Sequence, residues 1–103
     1  MIETIKKELV QRIVRSLLDV QILRLIKVEP TWGYRIKQRM KADFDVTLRH
    51  GLLYPTLIML EKNGFLTSQR QRQGRRMRKV YAITEKGEEF IETYNEVLEE
   101  QLK

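Results

Sequence analysis

Apolar residues recur every three or four positions in several stretches of the chain, and this spacing predicts amphipathic helices. The first stretch, residues 2–17, has one apolar side, formed by Ile2, Ile5, Leu9, Ile13 and Leu17. The second, VQILRLIKVEP, is apolar on almost every side and predicts a buried helix. Ser16 and Asp19 are spaced like a capping box between the two stretches, so the pattern predicts either two helices or one continuous helix.

The third helix is expected to follow Pro30, because proline disfavours helical geometry at the residue before it. It should start near Thr31, and its apolar positions are Tyr34, Ile36, Met40 and Phe44.

A fourth helix is expected within residues 47–63, TLRHGLLYPTLIMLEKN. Its leucines are spaced by four and three, and the pair Asn63-Gly64 is a favourable helix end. Pro55 lies inside this pattern. Either the helix begins before Pro55 and tolerates it near the first turn, or Pro55 is the first helical residue.

The pattern changes after Gly64. Residues 66–84 lack a helical stripe and form two runs with strand composition around Gln73-Gly74, which predicts a β-hairpin with its turn at Gly74. Thr84 is expected to cap a last helix from Glu85 to about Leu102. The apolar stripe of that helix consists of Ile91, Tyr94, Leu98 and Leu102.

These elements predict a mainly α fold with a two-stranded β-hairpin, that is, an α+β fold. Three helices followed by a basic hairpin form the winged helix-turn-helix plan, in which the last of the three enters the major groove of DNA. The hairpin, or wing, then lies along the flanking backbone. The 103 residues divide into a first helix (1–17), a winged core (18–84) and a last helix (85–103) within one domain.

Charge is concentrated in the hairpin. The chain has a net charge of +6, and residues 66–84 contain six Lys/Arg and no acid, whereas residues 85–103 carry a net −5. Arginine suits forked hydrogen bonding to phosphates and insertion into a narrow minor groove. The basic residues expected to bind DNA are Arg70, Arg72, Arg75, Arg76, Arg78 and Lys79.

The start of the fourth helix is the second candidate DNA contact. Arg49, His50 and Tyr54 fall on its first turn and a half, where side chains reach phosphates or base edges, although Tyr54 is also compatible with an ordinary core position. Tyr34 joins this DNA-binding set. With Trp32, Tyr34 either lines a ligand pocket or forms a hydrophobic packing corner.

Enzymatic and metal-binding functions find little support in the sequence. There is no cysteine, only one histidine, no catalytic triad and no phosphate loop, so we expect neither enzymatic activity nor a cofactor or metal. The glutamates of the last helix have the pattern of a solvated face. No apolar run approaches the ~20 residues needed to cross a bilayer, and the amino terminus lacks the apolar core of a signal peptide. We therefore expect a cytoplasmic protein with no membrane partner.

Three segments together resemble the PadR family of transcriptional regulators: ILRLIKVEPTWGYRIKQRM, GLLYPTLIMLEKNGFLTS and RRMRKVYAITEKGEEF. The resemblance spans about residues 18–90. It implies a homodimeric winged-helix repressor that binds a palindromic operator in double-stranded DNA. The chain departs from the family pattern in two ways. Arg49 and His50 stand where the family usually has a small capping residue and proline, and the carboxy-terminal region is shorter than in many members.

The family's dimer is built by helices outside the winged core, and the apolar stripes of the two terminal helices suit that role. A monomer of this size cannot fully cover them. The expected dimer contacts are Ile2, Ile5, Leu9, Ile13, Ile91, Tyr94, Leu98 and Leu102. The sequence does not identify a small-molecule effector.

Two alternatives stay open. A nonspecific architectural protein would use the same arginines only as phosphate contacts, and a protein-interaction adaptor would have a winged helix that never touches DNA.

Overall fold

The computed structural model describes all residues, 1–103, and contains five helices and a small sheet. The elements are, in chain order, α1 (Ile2–Ser16), α2 (Leu18–Val28), β1 (Thr31–Trp32), α3 (Gly33–Phe44), α4 (His50–Lys62), β2 (Leu66–Gln73), β3 (Arg76–Ile83) and α5 (Glu85–Gln101). The expected α+β fold with a hairpin wing is confirmed. No helix is both long and apolar enough to cross a membrane.

The first two helices are separate. The backbone leaves helical geometry at Leu17, with φ −110° and ψ 38°. The expected capping box is wrong, because Ser16 is the last residue of α1 and Leu17 takes the capping position. The Asp19 carboxylate instead accepts a hydrogen bond from the backbone N–H of Val20 at 2.8 Å.

The third helix begins at Gly33 rather than near Thr31. Thr31 and Trp32 form a short strand that pairs antiparallel with β3, where Thr31 lies opposite Tyr81 and Trp32 opposite Val80. The sheet therefore has three strands in the order β1-β3-β2. Two residues are too few to show a strand's alternating pattern, so only the hairpin was predictable from the sequence.

The core lies between α2, α3, α4 and the base of the sheet. Its fully buried side chains include Ile22, Leu23, Ile36, Leu53 and Leu57. The expectation that α2 is buried on most sides is confirmed, since five of its apolar residues are buried. This packing fixes α4 against the body of the protein and leaves its other side free.

Helix α4 begins at His50, and Pro55 lies inside it, so the possibility that Pro55 starts the helix is wrong. The Thr56 hydroxyl donates to the Leu52 carbonyl at 2.7 Å near this point. The helix ends as expected at Asn63-Gly64. Gly64 has φ +83°, and the Phe65 N–H returns to the Leu60 carbonyl at 2.9 Å, as in a Schellman motif.

The hairpin turns through Gly74 and Arg75, because Gln73 pairs with Arg76 in the ladder. Gly74 has φ +62° and Arg75 does not have a positive φ, which fits a type II′ turn with glycine first. At the base of the hairpin, the Thr84 hydroxyl caps α5 by accepting from the Gly87 N–H at 3.0 Å. The predicted turn and cap are both confirmed.

Candidate nucleic-acid interface

The first turn of α4 is open to solvent. Arg49 occupies the N-cap position without a side-chain capping hydrogen bond, and Arg49, His50 and Gly51 are all exposed. A Cβ placed on Gly51 would meet no atom within 4 Å. A polyanion can therefore approach the positive end of the helix dipole and the Arg49 guanidinium without any rearrangement of the chain.

Tyr54 connects this helix start to α3. Its ring lies so close to Gly33 that a Cβ there would stand 2.6 Å from the Tyr54 hydroxyl. The ring also lies 4.3 Å from the His50 ring, centroid to centroid, and the Lys37 ammonium is 5.6 Å from its centroid. Tyr54 is half-buried, and its ring contacts both Gly33 of α3 and His50 of the helix start.

The wing displays arginines on both faces. Cross-strand partners share a face, and the register pairs Arg70 with Lys79 and Arg72 with Met77. Arg76 and Arg78 point to the opposite face, where they lie across from Gln73 and Gln71. Arg75 sits in the turn itself. Arginine side chains are therefore present on both faces and at the tip of the wing.

Arg78 packs on the body of the protein. Its guanidinium lies 4.7 Å from the Trp32 ring centroid, and its Nε atom is buried without a hydrogen-bond partner. Such stacking of arginine on indole is favourable by about 0.5–2 kcal/mol. Trp32 thus holds the wing strand β3 at the point where β1 ends.

Lys79 differs from the five arginines because it is the only one of the six basic wing residues in an ion pair. Its ammonium lies 3.2 Å from the Glu61 carboxylate on the last turn of α4. The Ser68 hydroxyl donates to the other oxygen of the same carboxylate. This hydrogen bond, together with Lys79, lowers the pKa of Glu61, and the bond to Glu61 raises the pKa of Lys79.

Sequence reasoning missed Glu61 and Ser68. Nothing local in the sequence relates a glutamate at the end of a helix to a lysine 18 positions later. The relation between Glu61 and Lys79 becomes visible only from the strand register, which brings Ser68 and Lys79 to the same face of the sheet. That face is turned towards α4, where Glu61 lies.

A cavity of about 370 Å³ lies between the start of α3, the outer side of α4 and strand β3. Aromatic side chains form much of its wall, and Arg76 and Arg78 stand beside them. Tyr34 is 58% exposed at this site. Trp32 and Tyr34 therefore contribute to a cavity wall, while Trp32 also packs under Arg78. The aromatic residues of the wall are Trp32, Tyr34, Tyr54 and Tyr81.

The predicted dimer contacts separate into two groups. On α1, four residues of the stripe, three isoleucines and one leucine, are 45–76% exposed, and these are Ile2, Ile5, Leu9 and Ile13. On α5, Leu102 is exposed while Tyr94 and Leu98 are half-buried. Ile91 is only 5% exposed because it belongs to the core of its own chain, so it is not available to a partner.

A family model described as the PadR-like family of transcriptional regulators matches residues 22–93. Among curated proteins, none matches the chain.

Solved structures match over most of the chain. A PadR-like transcription factor from Bacteroides fragilis is 26% identical, with a TM-score of 0.77 and 87% of each chain covered. A transcriptional regulator from Clostridium thermocellum is 26% identical, with a TM-score of 0.78 and coverage of 87% and 90%.

Bacillus subtilis PadR, solved in complex with operator DNA, is 27% identical with a TM-score of 0.70. That match covers 76% of this chain and 45% of the B. subtilis chain. Since the matched family segment is well over half of the chain and the fold agrees, the chain belongs to the PadR-like family of transcriptional regulators.

Proposed function

We propose that the protein binds an inverted-repeat operator as a homodimer and represses transcription. Helix α4 enters the major groove with its first turn, and the β2-β3 wing lies on the flanking backbone and minor groove. This proposal rests on two features that occur together. The start of α4 at Arg49 is exposed and has no side-chain cap, and the five arginines of the wing make no ion pair.

The unpaired wing arginines support a phosphate-binding role. A cation without an intramolecular partner loses no ion pair when it contacts DNA, and each phosphate that it neutralises releases condensed counterions. Phosphate contacts fix position but carry no sequence information, which has to come from side chains at base edges. Arg49 and His50 are the side chains placed to supply it, because arginine can bind a guanine edge with two hydrogen bonds.

The exposed side of α1 supports the dimer. An apolar stripe that runs from Ile2 to Ile13 along one helix is larger than the single exposed residues that a monomer tolerates. A two-fold dimer buries such a self-complementary patch twice. The symmetry then places two recognition helices on one side of the duplex, about 34 Å apart, and requires an inverted repeat.

The structural match to B. subtilis PadR with operator DNA supports the choice of an operator as the target. A dimer seated on two half-sites covers roughly two turns of the duplex, which is enough to exclude RNA polymerase from an overlapping promoter. This exclusion is the basis for proposing repression.

The test is selection of bound fragments from a random duplex library by the purified protein at about 150 mM salt, followed by sequencing. An inverted repeat with half-sites about one helical turn apart is the expected result. A reporter gene placed under a promoter that contains the selected repeat should then be less active when the protein is present. Higher reporter activity would contradict repression while leaving operator binding intact.

A second function, nonspecific architectural binding, is favoured by one observation: arginines occupy both faces and the tip of the wing. Enrichment of fragments without any common motif, with equal affinity for all of them, would support this function instead.

A further inference from the structure

The last turn of α4 is joined to both strands of the wing by one carboxylate. One oxygen of Glu61 accepts from the Ser68 hydroxyl on β2, and the other lies 3.2 Å from the Lys79 ammonium on β3. The Lys79 ammonium also lies 5.4 Å from the Tyr81 ring centroid. Three secondary-structure elements therefore meet at Glu61, and we call Glu61, Ser68 and Lys79 the wing latch.

The latch lies where the wing leaves the body of the protein. Below it, Leu66 and Tyr81 are buried in the core. Beyond the latch, from residue 70 to residue 78, every residue is exposed except Arg78, which is half-buried. The projecting arm carries all five arginines, so its direction depends on contacts at its base.

Resting on the proposed DNA-binding function, we propose that the wing latch is a positioning device: it sets the angle between recognition helix and wing, and Lys79 does not bind phosphate. Glu61 neutralises the Lys79 charge and directs its ammonium towards α4. A fixed angle allows the helix to occupy the major groove and the arm to reach its phosphates at the same time. A loosened arm still contacts DNA, but without a defined relation to the base-reading helix.

Electrostatic attraction alone predicts the opposite result for one substitution. Glu61→Gln removes a negative charge close to the DNA-binding face, so simple attraction to the phosphates predicts tighter binding to every duplex. The latch predicts that binding to the selected operator weakens while binding to a scrambled duplex stays equal or tightens. The ratio of the two affinities is therefore the decisive quantity.

The experiment compares affinities for the selected inverted repeat and for a scrambled duplex of the same composition. For Glu61→Gln we expect the specific-to-scrambled ratio to fall about threefold per subunit, or about tenfold for a dimer, the size expected for a partly exposed ion pair. Glu29→Gln is the charge-matched control, because Glu29 is exposed and forms no ion pair. Its ratio should equal that of the wild type. An unchanged or higher ratio in Glu61→Gln would overturn the proposal.

The role of Lys79 is tested by the salt dependence of operator binding. Lys79→Gln should leave the slope of log affinity against log salt unchanged, since a positioning residue releases no counterion. A lost phosphate contact would instead reduce the slope by about 0.9 per subunit, or about 1.8 for a dimer. Such a reduction would refute the assignment.

A charge swap separates the pair from the individual side chains. Glu61→Lys alone and Lys79→Glu alone each place like charges together and should lower the affinity ratio. The double variant restores an ion pair of reversed polarity at the wild-type net charge, so it should recover much of the ratio. If Lys79 contacted phosphate, the double variant would hold a carboxylate against DNA and recover nothing.

One measurement needs no DNA. In the free protein, Glu61→Gln should accelerate hydrogen exchange of the backbone amides in residues 70–78 and leave the exchange rates in α2 unchanged. If residues 70–78 exchange at the same rate in Glu61→Gln and in the wild type, the latch is contradicted. A wild-type affinity ratio near unity would refute the proposed operator binding instead, and this exchange experiment would still decide whether the latch holds the wing.

Discussion

The contact between Gly33 and Tyr54 offers a test of the packing beneath the recognition helix. A Cβ at Gly33 would lie 2.6 Å from the Tyr54 hydroxyl and 2.7 Å from its Cε1 atom, well inside van der Waals contact. Gly33→Ala therefore has to displace the Tyr54 ring. Gly51→Ala is the matched control, because a Cβ there meets nothing within 4 Å and neither glycine has a positive φ.

Both substitutions gain the same advantage from restricting the unfolded chain, about 0.4–1 kcal/mol. Gly33→Ala additionally pays for overpacking, which typically costs about 1–3 kcal/mol. The difference between the two variants isolates the clash. Since the tip of a ring can swing aside, we expect about 1 kcal/mol, or a melting temperature roughly 4–8 °C lower for Gly33→Ala than for Gly51→Ala.

The assay is thermal and urea unfolding of both variants at one fixed protein concentration, because the stability of a dimer depends on concentration. In a Tyr54→Ala background, the difference between the two alanine variants should disappear. Equal stability of Gly33→Ala and Gly51→Ala with Tyr54 present would refute the packing argument. The displaced ring also supports His50, so Gly33→Ala should weaken operator binding.

Two further predictions concern the dimer and the turn after α3. If the proposed dimer forms through α1, the double variant Ile5→Glu/Ile13→Glu should be a monomer at micromolar concentration in sedimentation experiments. Val28→Glu is the control, because Val28 is 75% exposed but lies outside α1 and α5, and it should leave the oligomeric state unchanged. A dimer that survives the double change would exclude the α1 interface. Hydrogen bonding from Lys41, then Lys7, lowers the pKa of Asp45 below 3.8, so its contribution to stability is complete above that pH and is lost as pH falls through the lowered value. Asparagine tolerates the left-handed backbone at this position, so Asp45→Asn should reduce stability to urea more at pH 7 than at about pH 2. An equal reduction at both pH values would contradict the ion-pair explanation.

The elements with long, regular patterns were predictable from the sequence. The buried helix α2 and the end of α4 followed from local rules, since leucine spacing and an Asn-Gly stop need no tertiary information, whereas the sequence left two possible starts for α4. The same holds for the hairpin turn at Gly74 and the Thr84 cap. The position of the basic wing was also predicted, because its arginines are contiguous in the chain, while the DNA contacts of the wing and of Arg49 stay a prediction.

Features that depend on contacts between distant segments were not predictable. Strand β1 exists only because Thr31 and Trp32 pair with β3. Ile91 has the spacing of a surface stripe, yet α5 turns it into the core of its own chain. Lys79 resembles the neighbouring arginines in sequence, and only the register shows that it faces Glu61. Periodicity identifies a helix face but not what covers it.

In the proposed mode of binding, Arg49 reads the base sequence and the wing tip binds phosphate. The most direct measurement is the affinity of the wild type, Arg49→Ala and Arg75→Ala/Arg76→Ala for operator and scrambled duplexes over a range of salt concentrations. Arg49→Ala should lose about 1–3 kcal/mol of discrimination if it reads a guanine. The wing variant should lose affinity for both duplexes, with a salt slope smaller by about 0.9 per lost contact. Equal losses on both duplexes for Arg49→Ala would show that it is another phosphate contact and would contradict the account.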